Sequence, residues 1–220
     1  KLEGLVDDDH PERTAILNAW DRNDLYDGPY VRNAPDITLG FNAGYGFDAI
    51  ALALLGSVLI TLSMDIGGVD VPVAFSALTG EAGRLDPLWL KTGFVFILVG
   101  YGTKMGLAPM HTWLPDAHSE APSPASALLS GVLLNCAYLG IFKTNKIMQA
   151  AGLGNFSGNI LIVFGLASML AAATFIIRQT ETKRLLAYSS IENMGIIAFG
   201  TGIGGLGAYG AVLCLIHHSL

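Results

Sequence analysis

The sequence predicts an all-α fold, a polytopic bundle of transmembrane helices in which one helix is discontinuous. Three observations lead to this prediction. The 220-residue chain is 52% hydrophobic and only 14% charged, against roughly 25% charged residues in ordinary globular domains. Its apolar residues are gathered into runs of the length that a membrane-crossing helix needs, about 20 residues. One of these runs contains a lysine and is followed by a series of prolines.

Residues 1–46 form a polar head that differs in composition from the rest of the chain. Lys1–Gly46 holds nine acidic and four basic residues, and its central part, DDDHPERTAILNAWDRNDLYDGPYVRNAPD, mixes charge with proline and asparagine. That mixture predicts a surface loop or disorder, with a short amphipathic helix around Thr14 to Trp20 as an alternative. The acidic balance gives no reason to expect nucleic acid as a partner, because neutralising phosphates takes clustered lysine and arginine.

Residues 47–220 are predicted to form the membrane domain. A soluble six-helix bundle would need a polar stripe along each helix, and the segment NILIVFGLASMLAAATFIIR has none. We therefore expect about six spans in a multi-pass protein of the cell membrane, surrounded by the lipid bilayer. The last apolar run, AVLCLIHHSL, is short, so we expect this domain to be truncated at its C-terminus. The six apolar segments are roughly Phe47–Met64, Thr92–Met110, Ala125–Phe142, Asn159–Ile177, Leu185–Ile203 and Leu206–Leu220.

A single lysine, Lys104, lies inside the second apolar segment, in the stretch VGYGTKMGLAPMHTWLPDAHSEAPSP. A lysine near the centre of a spanning helix costs about 2.5–3.5 kcal/mol on insertion scales, so its presence predicts a function. Because burial disfavours the charged form of an amine, a lysine in this setting is suited to exchanging a proton. The alternative is a lysine near a helix end that extends its ammonium group to the lipid headgroups.

The prolines of the same stretch predict a break in the helix. Pro109 lacks a backbone N–H and its ring clashes with the preceding turn, so the helix should be interrupted between Leu107 and Pro115. Pro115 is expected to repeat the interruption, and Pro122 and Pro124 to mark the next connection. The piece MHTWLPDAHSEA should then be irregular or half-helical, and its exposed backbone should line a hydrated cavity, where irregular structure is tolerable.

Three ionisable residues, His111, Asp116 and His118, surround Pro115. Their spacing, HxxxxDxH, does not place ligands on one helix face as the HExxH motif does. We therefore favour hydrogen bonding at the helix break over metal binding for these side chains, because backbone groups freed at membrane depth must be satisfied locally.

Further ionisable side chains lie in the last two apolar segments. Glu192, His217 and His218 add to Lys104, so that ionisable groups are spread over three helices, the pattern expected of a proton pathway. Lys183 precedes a helix and is, from position alone, interpreted as an interfacial anchor. The glycine-rich string GIGGLG lacks the strand, helix and acidic residue of a dinucleotide site, so it predicts a tight turn between two helices.

Three strings resemble those of one family: GYGTKMGLAPMHTWLPDAHSEAPSPASALLSGVLLN, QTETKRLLAYSSIENMGIIAFG and LIHHSL. They resemble the antiporter-like membrane subunits of respiratory complex I and, most closely, the hydrogenase-4 component F type of subunit in group 4 membrane-bound nickel-iron hydrogenases. Mrp-type cation/proton antiporters belong to the same superfamily. The resemblance runs from about Ala49 to Leu220 and implies inverted helix repeats with broken helices at the membrane midplane.

The resemblance implies roles for individual residues. Lys104 corresponds to the family's lysine before the helix break, Lys183 to the lysine of the KRLLAYS string, and His218 to the histidine after the next helix. These three form the implied proton relay. The candidate supporting residues are His111, Asp116, His118, Asn135, Glu192 and His217.

The chain departs from the family pattern at three places. Several relatives carry a lysine where this chain has Asn135, which predicts a gap in the relay that water fills, because an amide binds water but carries no proton charge. Asn193 stands where the family often has the histidine of a His-Met-Gly string. The acidic head stands where the family has an upstream helix with a glutamate that pairs with the equivalent of Lys104.

The resemblance implies a membrane subunit that conducts protons, coupled to electron transfer in an NADH-quinone oxidoreductase-like or membrane-bound hydrogenase complex. The chain itself would be a non-redox subunit without a cofactor, because its sequence contains no ligand set for flavin, iron–sulfur or nickel. Its expected partners are other membrane subunits, a peripheral redox arm, and protons or monovalent cations. Two alternatives stay open: a cation/proton antiporter subunit without a redox partner, and a truncated structural subunit that supports assembly.

Overall fold

The head contains a strand pair. The computed structural model describes residues 16–21, 37–41 and 48–219, and the chain divides into two compact units, Lys1–Asp48 and Ala49–Leu220. In the first unit, β1 (Ile16–Asp21) pairs antiparallel with β2 (Ile37–Phe41). The pairing places Ile16 opposite Phe41 and Asp21 opposite Ile37.

The alternative of a helix around Thr14 to Trp20 is wrong for its described part, since Ile16–Asp21 is a strand. The sequences ILNAWD and ITLGF contain isoleucine, tryptophan, threonine and phenylalanine, which favour strands, and pairing satisfies their backbone groups. Thr14 and Ala15, like the rest of the predicted loop in the head, lie outside the described residues.

The second unit is helical in its described part, which confirms the predicted fold class for the membrane domain. A 3₁₀ turn, Ala82–Arg84, follows the second helix, and a π-helical segment, Leu129–Leu133, interrupts the fifth. Among residues 48–219, the eight α-helices are α1 (Asp48–Gly67), α2 (Phe75–Gly80), α3 (Pro87–Met105), α4 (Trp113–Glu120), α5 (Ser123–Ala150), α6 (Gly154–Ile176), α7 (Thr182–Ile203) and α8 (Gly205–Ser219).

Six of these helices are long, and they match the six apolar segments that the sequence predicts. In the part of the chain that the structure describes, three helical segments are suited by length and hydropathy to crossing a membrane: Ala49–Gly67, Ser123–Ala150 and Gly154–Ile176. The other long helices are α3, α7 and α8, and the first two carry charged side chains along their length. The helices also point apolar side chains outward, for example Leu170 of α6 at 68% exposure and Leu206 of α8 at 90%. This apolar outer surface suits contact with lipid.

Helices α6 and α7 pack through glycines. A Cβ atom on Gly165 would lie 2.7 Å from the carbonyl oxygen of Gly195, and a Cβ on Gly158 would lie 2.7 Å from that of Gly202. Small residues at such positions let helix backbones approach closely in a membrane. These four residues, Gly158, Gly165, Gly195 and Gly202, form a glycine seam between the two helices. The seam fixes the position of α7, which carries several of the side chains described below.

The string GIGGLG forms the turn between α7 and α8, as predicted. Helix α7 ends at Ile203 and α8 begins at Gly205, so a single residue, Gly204, separates them. Gly204 and Gly205 have positive φ values of 75° and 51°, a region that glycine adopts without steric cost. The tight turn packs α8 back against α7.

Candidate functional site

The predicted helix break lies next to Lys104. Helix α3 ends at Met105, Gly106 caps it with φ of 79°, and helical structure resumes only at Trp113. The backbone N–H of Leu107 donates a hydrogen bond to the carbonyl of Gly102 at 2.9 Å. This bond is typical of a helix that ends with a glycine in the left-handed conformation. The discontinuity predicted between Leu107 and Pro115 is confirmed.

The expectation that Pro115 repeats the interruption is wrong. Pro115 lies in the first turn of α4, which runs from Trp113 to Glu120. The first N–H groups of a helix have no partner inside the helix, so a proline there removes no hydrogen bond. Of the two prolines, Pro109 lies inside the break, and its peptide bond with Ala108 is cis.

The backbone groups freed at the break are satisfied by two side chains that the sequence did not single out. Trp113 donates its indole N–H to the Thr103 carbonyl at 2.6 Å, and the Ala108 N–H donates to Ser168 Oγ of α6 at 2.8 Å. His111 and Asp116 were expected in this role. Asp116 instead pairs with Arg184 of α7, while the buried Nδ1 of His111 has no partner among the described residues.

Lys104 is half-buried in the last turn of α3. Its Nζ lies 5.9 Å from the centroid of the Trp113 ring, and its side chain lines a cavity of about 210 Å³ together with Ser57 and Tyr101. The ring face and the carbonyl end of α3 both favour an ammonium group at this point. Within the described ranges, no carboxylate forms an ion pair with Lys104.

A second, larger cavity of about 410 Å³ lies between α4, α5, α7 and α8. It brings together three residues singled out from the sequence, namely His118 of α4, Lys183 of α7 and His218 of α8. Its polar lining is completed by Ser123, Ser126, Ser130, Ser189, Ser190 and Asn193. None of the residues that line it is acidic. The cavity is therefore a polar space with cationic and neutral groups only.

Lys183 joins α7 to the end of α4. Its Nζ donates to the Ala121 carbonyl at 2.9 Å and lies 3.5 Å from the Ser119 carbonyl. These carbonyls belong to the C-terminal end of α4, where cations are favoured. The neighbouring ion pair of Arg184 with Asp116 connects the same two helices.

His118 is 4% exposed and lies against α5. Its Nδ1 is 2.6 Å from Ser126 Oγ, while its Nε2 is buried without a hydrogen-bond partner among the described residues. A buried polar atom beside a polar cavity is normally satisfied by water. His118 is therefore placed to bond a water molecule in the cavity.

His218 reaches the cavity through the π-helical segment of α5. Its Nε2 lies 3.2 Å from Ser130 Oγ, which in turn lies 3.1 Å from Ser190 Oγ of α7. His217, the other half of the predicted pair, is exposed and does not line the cavity. The two histidines thus have different surroundings.

Asn135 and Glu192 lie outside the cavity lining. Asn135 donates to the Gly131 carbonyl at 2.7 Å and to Ser219 Oγ at 2.6 Å, so it joins α5 to α8. Glu192 is half-buried and pairs with no cation in the part of the chain that the structure describes. In the same part, no group of three or more His, Cys, Asp or Glu side chains is arranged to hold a metal ion.

Sequence reasoning missed the serines of the cavity. Ser123, Ser126 and Ser130 recur at spacings of three and four, which places them on one helix face. Ser190 and Asn193 show the same spacing on α7. A search for polar residues at helical spacing inside the apolar segments would have found both faces.

The fold and these two cavities define a polytopic membrane protein with a broken helix and ionisable groups between its helices. Residues 48–220 match the family model described as NADH:quinone oxidoreductase/Mrp antiporter, transmembrane. The chain belongs to this family, and it is a membrane protein. The resemblance inferred from the sequence strings is confirmed.

Individual relatives agree with this assignment. The chain is 47% identical over 174 residues to a hydrogenase-4 component F homolog of Methylacidiphilum infernorum, covering 78% of this chain and 37% of the relative. It is 39% identical over 175 residues to an NAD(P)H-quinone oxidoreductase chain 4 of Picosynechococcus, covering 77% and 32%. The chain thus spans about a third of the length of these relatives.

A solved structure of the Mrp complex from a Dietzia species contains a chain of similar fold. The TM-score is 0.62 at 24% sequence identity, and the match covers 79% of this chain and 20% of that one. At this identity the likeness concerns the fold, and it agrees with the helical membrane architecture described above.

Proposed function

We propose that this chain is a membrane subunit that conducts protons, and that partner subunits carry out the electron transfer that drives conduction. The observation that carries the proposal is the cavity of about 410 Å³ lined by His118, Lys183 and His218. These groups come from three helices and face one polar space. Imidazole and amine groups inside a membrane bundle are typical of proton relays.

The way the two lysines are held supports a role in exchanging protons. Lys183 donates to the Ala121 carbonyl and Lys104 lies at the carbonyl end of α3. Neutral carbonyl groups stabilise an ammonium group, but they do not become unpaired charges when the lysine loses its proton. Within the described residues, neither lysine forms an ion pair with a carboxylate.

The relatives support a place in a larger redox complex. One is named as a hydrogenase-4 component F homolog and another as an NAD(P)H-quinone oxidoreductase chain 4. We assign this chain to the cell membrane beside other membrane subunits and a peripheral redox arm. The electron-carrying cofactors belong, in this proposal, to the partner subunits.

Purification in mild detergent followed by reconstitution into liposomes tests the proposal. The co-purified subunits and metals are identified, the electron donor is added, and acidification is followed with a pH-sensitive dye in sodium-free and in sodium-containing buffer. Redox-driven proton movement in both buffers is the expected result. Proton movement that needs sodium and no redox partner would contradict the proposal and show an antiporter subunit instead. A complex that moves no ions would indicate a structural subunit that supports assembly.

A further inference from the structure

Ser130 occupies an unusual position in α5. It lies in the π-helical segment Leu129–Leu133, where the helix contains one wide turn. Such turns are rare and are frequent at functional sites, because they change the direction in which side chains project. Here the turn places one hydroxyl group between α7 and α8, at hydrogen-bonding distance from Ser190 and His218.

The direction of the hydrogen bonds follows from the neighbours. Ser190 donates its hydroxyl hydrogen to the Leu186 carbonyl at 3.2 Å, so toward Ser130 it acts as an acceptor. Ser130 then donates to Ser190 and accepts from an N–H at Nε2 of His218. If Nε2 carries no hydrogen, Ser130 turns and donates to that nitrogen instead, since a hydroxyl both donates and accepts. The hydroxyl thus has two orientations, set by the protonation of His218.

We infer that Ser130 is a relay residue that passes protons between His218 and water in the cavity, an inference that rests on the proposed proton conduction. His218 gives its Nε2 proton to Ser130 Oγ while the serine's own hydrogen, turned from Ser190 toward a water in the cavity that Ser130 lines, passes to that water. One N–H and one O–H bond break, and two O–H bonds form. The protonated water then transfers its extra proton to the imidazole of His118 or to the neutral amine of Lys183, and the reverse sequence runs in the opposite direction.

The cavity has the room and the partners that this step needs. Its volume of about 410 Å³ corresponds to on the order of ten waters, at roughly 30 Å³ each in the liquid. Ser130, His118 and Lys183 all line it, and the buried Nε2 of His118 has no protein partner in the described part of the chain.

The ionisable groups near His218 come from each helix packed against it. They are His118 of α4, Lys183 of α7 and, on its own helix, His217. On α5 the facing groups are the neutral hydroxyls of Ser126 and Ser130. Proton transfer from His218 therefore leads toward two other bases across the cavity, and Ser130 is the group within hydrogen-bonding distance of its ring.

A pair of variants of equal shape tests this inference in the assembled complex, reconstituted into liposomes. Ser130→Thr keeps the hydroxyl, whereas Ser130→Val replaces it with a methyl group, so a packing defect should affect both. Proton transport per assembled complex should stay within about twofold of wild type in Ser130→Thr and fall about tenfold or more in Ser130→Val. The solvent deuterium isotope effect should rise in Ser130→Val, because the interrupted transfer becomes rate-limiting; loss of packing alone would not change it.

Two controls separate this inference from the proposed function. Cys136→Ala, an exposed site on the same helix, should transport at the wild-type rate. Equal transport by Ser130→Thr and Ser130→Val would overturn the relay role of Ser130. If Lys183→Ala loses transport in the same experiment, the proposed proton conduction still holds. If Lys183→Ala and Ser130→Val are both fully active, the proposed function fails as well.

Discussion

Lys104 and Lys183 each lie where a helix presents its terminal carbonyl groups. Lys104 belongs to the last turn of α3, and Lys183 donates to the Ala121 carbonyl that follows α4. The partial negative charge of these helix ends stabilises an ammonium group by roughly 0.3–1 kcal/mol at exposed sites and more when partly buried. Both lysines are thereby held beside cavities without a carboxylate partner among the described residues.

Replacing Lys104 with alanine should abolish most proton transport while leaving the protein inserted and assembled. Removing a half-buried charge relieves its desolvation, so stability should not fall. We expect transport per assembled complex to drop about a hundredfold or more, the range attributed to a positioned proton-transfer group. The measurement is dye-monitored acidification of liposomes that contain the complex.

Lys91→Ala is the matched control on the same helix. Lys91 lies in the first part of α3, with its Nζ 5.5 Å from the centroid of the Phe156 ring, and lines neither cavity. The Lys91→Ala variant should therefore transport protons at the wild-type rate. Unchanged transport in Lys104→Ala would refute the relay role of this residue.

Asn135→Lys should be tolerated, with transport equal to or above wild type. Asn135 uses its amide N–H groups to donate to the Gly131 carbonyl and to Ser219 Oγ, and a lysine ammonium group can donate to the same acceptors. The comparison is Asn135→Leu, which loses both donors and should cost about 1–3 kcal/mol of stability. Thermal unfolding in detergent measures the stability of both variants, and acidification of liposomes measures transport by Asn135→Lys. A misfolded Asn135→Lys variant would indicate a dry, packed site without room for an ammonium group.

At the level of residues, the sequence singled out the ionisable side chains of the site, but it did not predict which side chains surround them. Lysines and histidines stand out in an apolar run because each is costly there, and three of them line one cavity. Serines are weakly polar and do not stand out one by one, so Ser130 was missed. Asp116 and His111 lie near the break, but the donor that pairs with Asp116 is Arg184 of α7, and the acceptor that the Ala108 N–H meets is Ser168 of α6. Both partners are distant in sequence.

The helix break is held together by a contact from another helix. Ser168 of α6 accepts the hydrogen bond of the Ala108 N–H at 2.8 Å, and this bond is buried. Ser168→Ala should leave that N–H unsatisfied and cost about 1–3 kcal/mol. We expect a lower unfolding midpoint in detergent, whereas Thr174→Ala, an exposed site on the same helix, should unfold like wild type. Equal midpoints for the two variants would show that water replaces Ser168.

The glycine seam between α6 and α7 tolerates no side chain. A Cβ on Gly195 would lie 2.9 Å from the Gly165 carbonyl oxygen, a backbone atom that cannot move aside cheaply. Gly195→Val should therefore separate the helices and destabilise the bundle by about 1–3 kcal/mol or more. Gly210→Ala on α8 is the control, since no atom lies within 4 Å of its Cβ. A normal yield of folded Gly195→Val protein would contradict this packing.

At the level of elements, the six long helices and the break followed from hydrophobic runs and from Pro109, which are local features. Pro115 misled the prediction because the effect of a proline depends on where the helix begins, and α4 begins at Trp113. The π-helical turn of α5 was not predicted, because the sequence LSGVL is compatible with an ordinary α-helix.

On the scale of the whole molecule, the helical unit combines an apolar outer surface with polar space between its helices. Exposed leucine and isoleucine side chains lie along its long helices, while His118 of α4, Lys183 of α7 and His218 of α8 line the cavity of about 410 Å³. Composition alone predicted the first property, because few charged residues are available to cover a soluble surface. The second depends on how four helices meet. The sequence predicted ionisable groups spread over three helices, but not that His118, Lys183 and His218 line one cavity.

The central claim is that this cavity conducts protons, and Lys183 is the residue that tests it most directly. Proton transport by the assembled complex in liposomes is compared between Lys183→Ala and Lys146→Ala. Lys146 is a lysine of α5 that lies 5.4 Å from the Phe142 ring centroid and does not line the cavity. We expect Lys183→Ala to assemble and to lose proton transport by about a hundredfold, while Lys146→Ala transports like wild type. Wild-type proton transport by an assembled Lys183→Ala complex would contradict the claim.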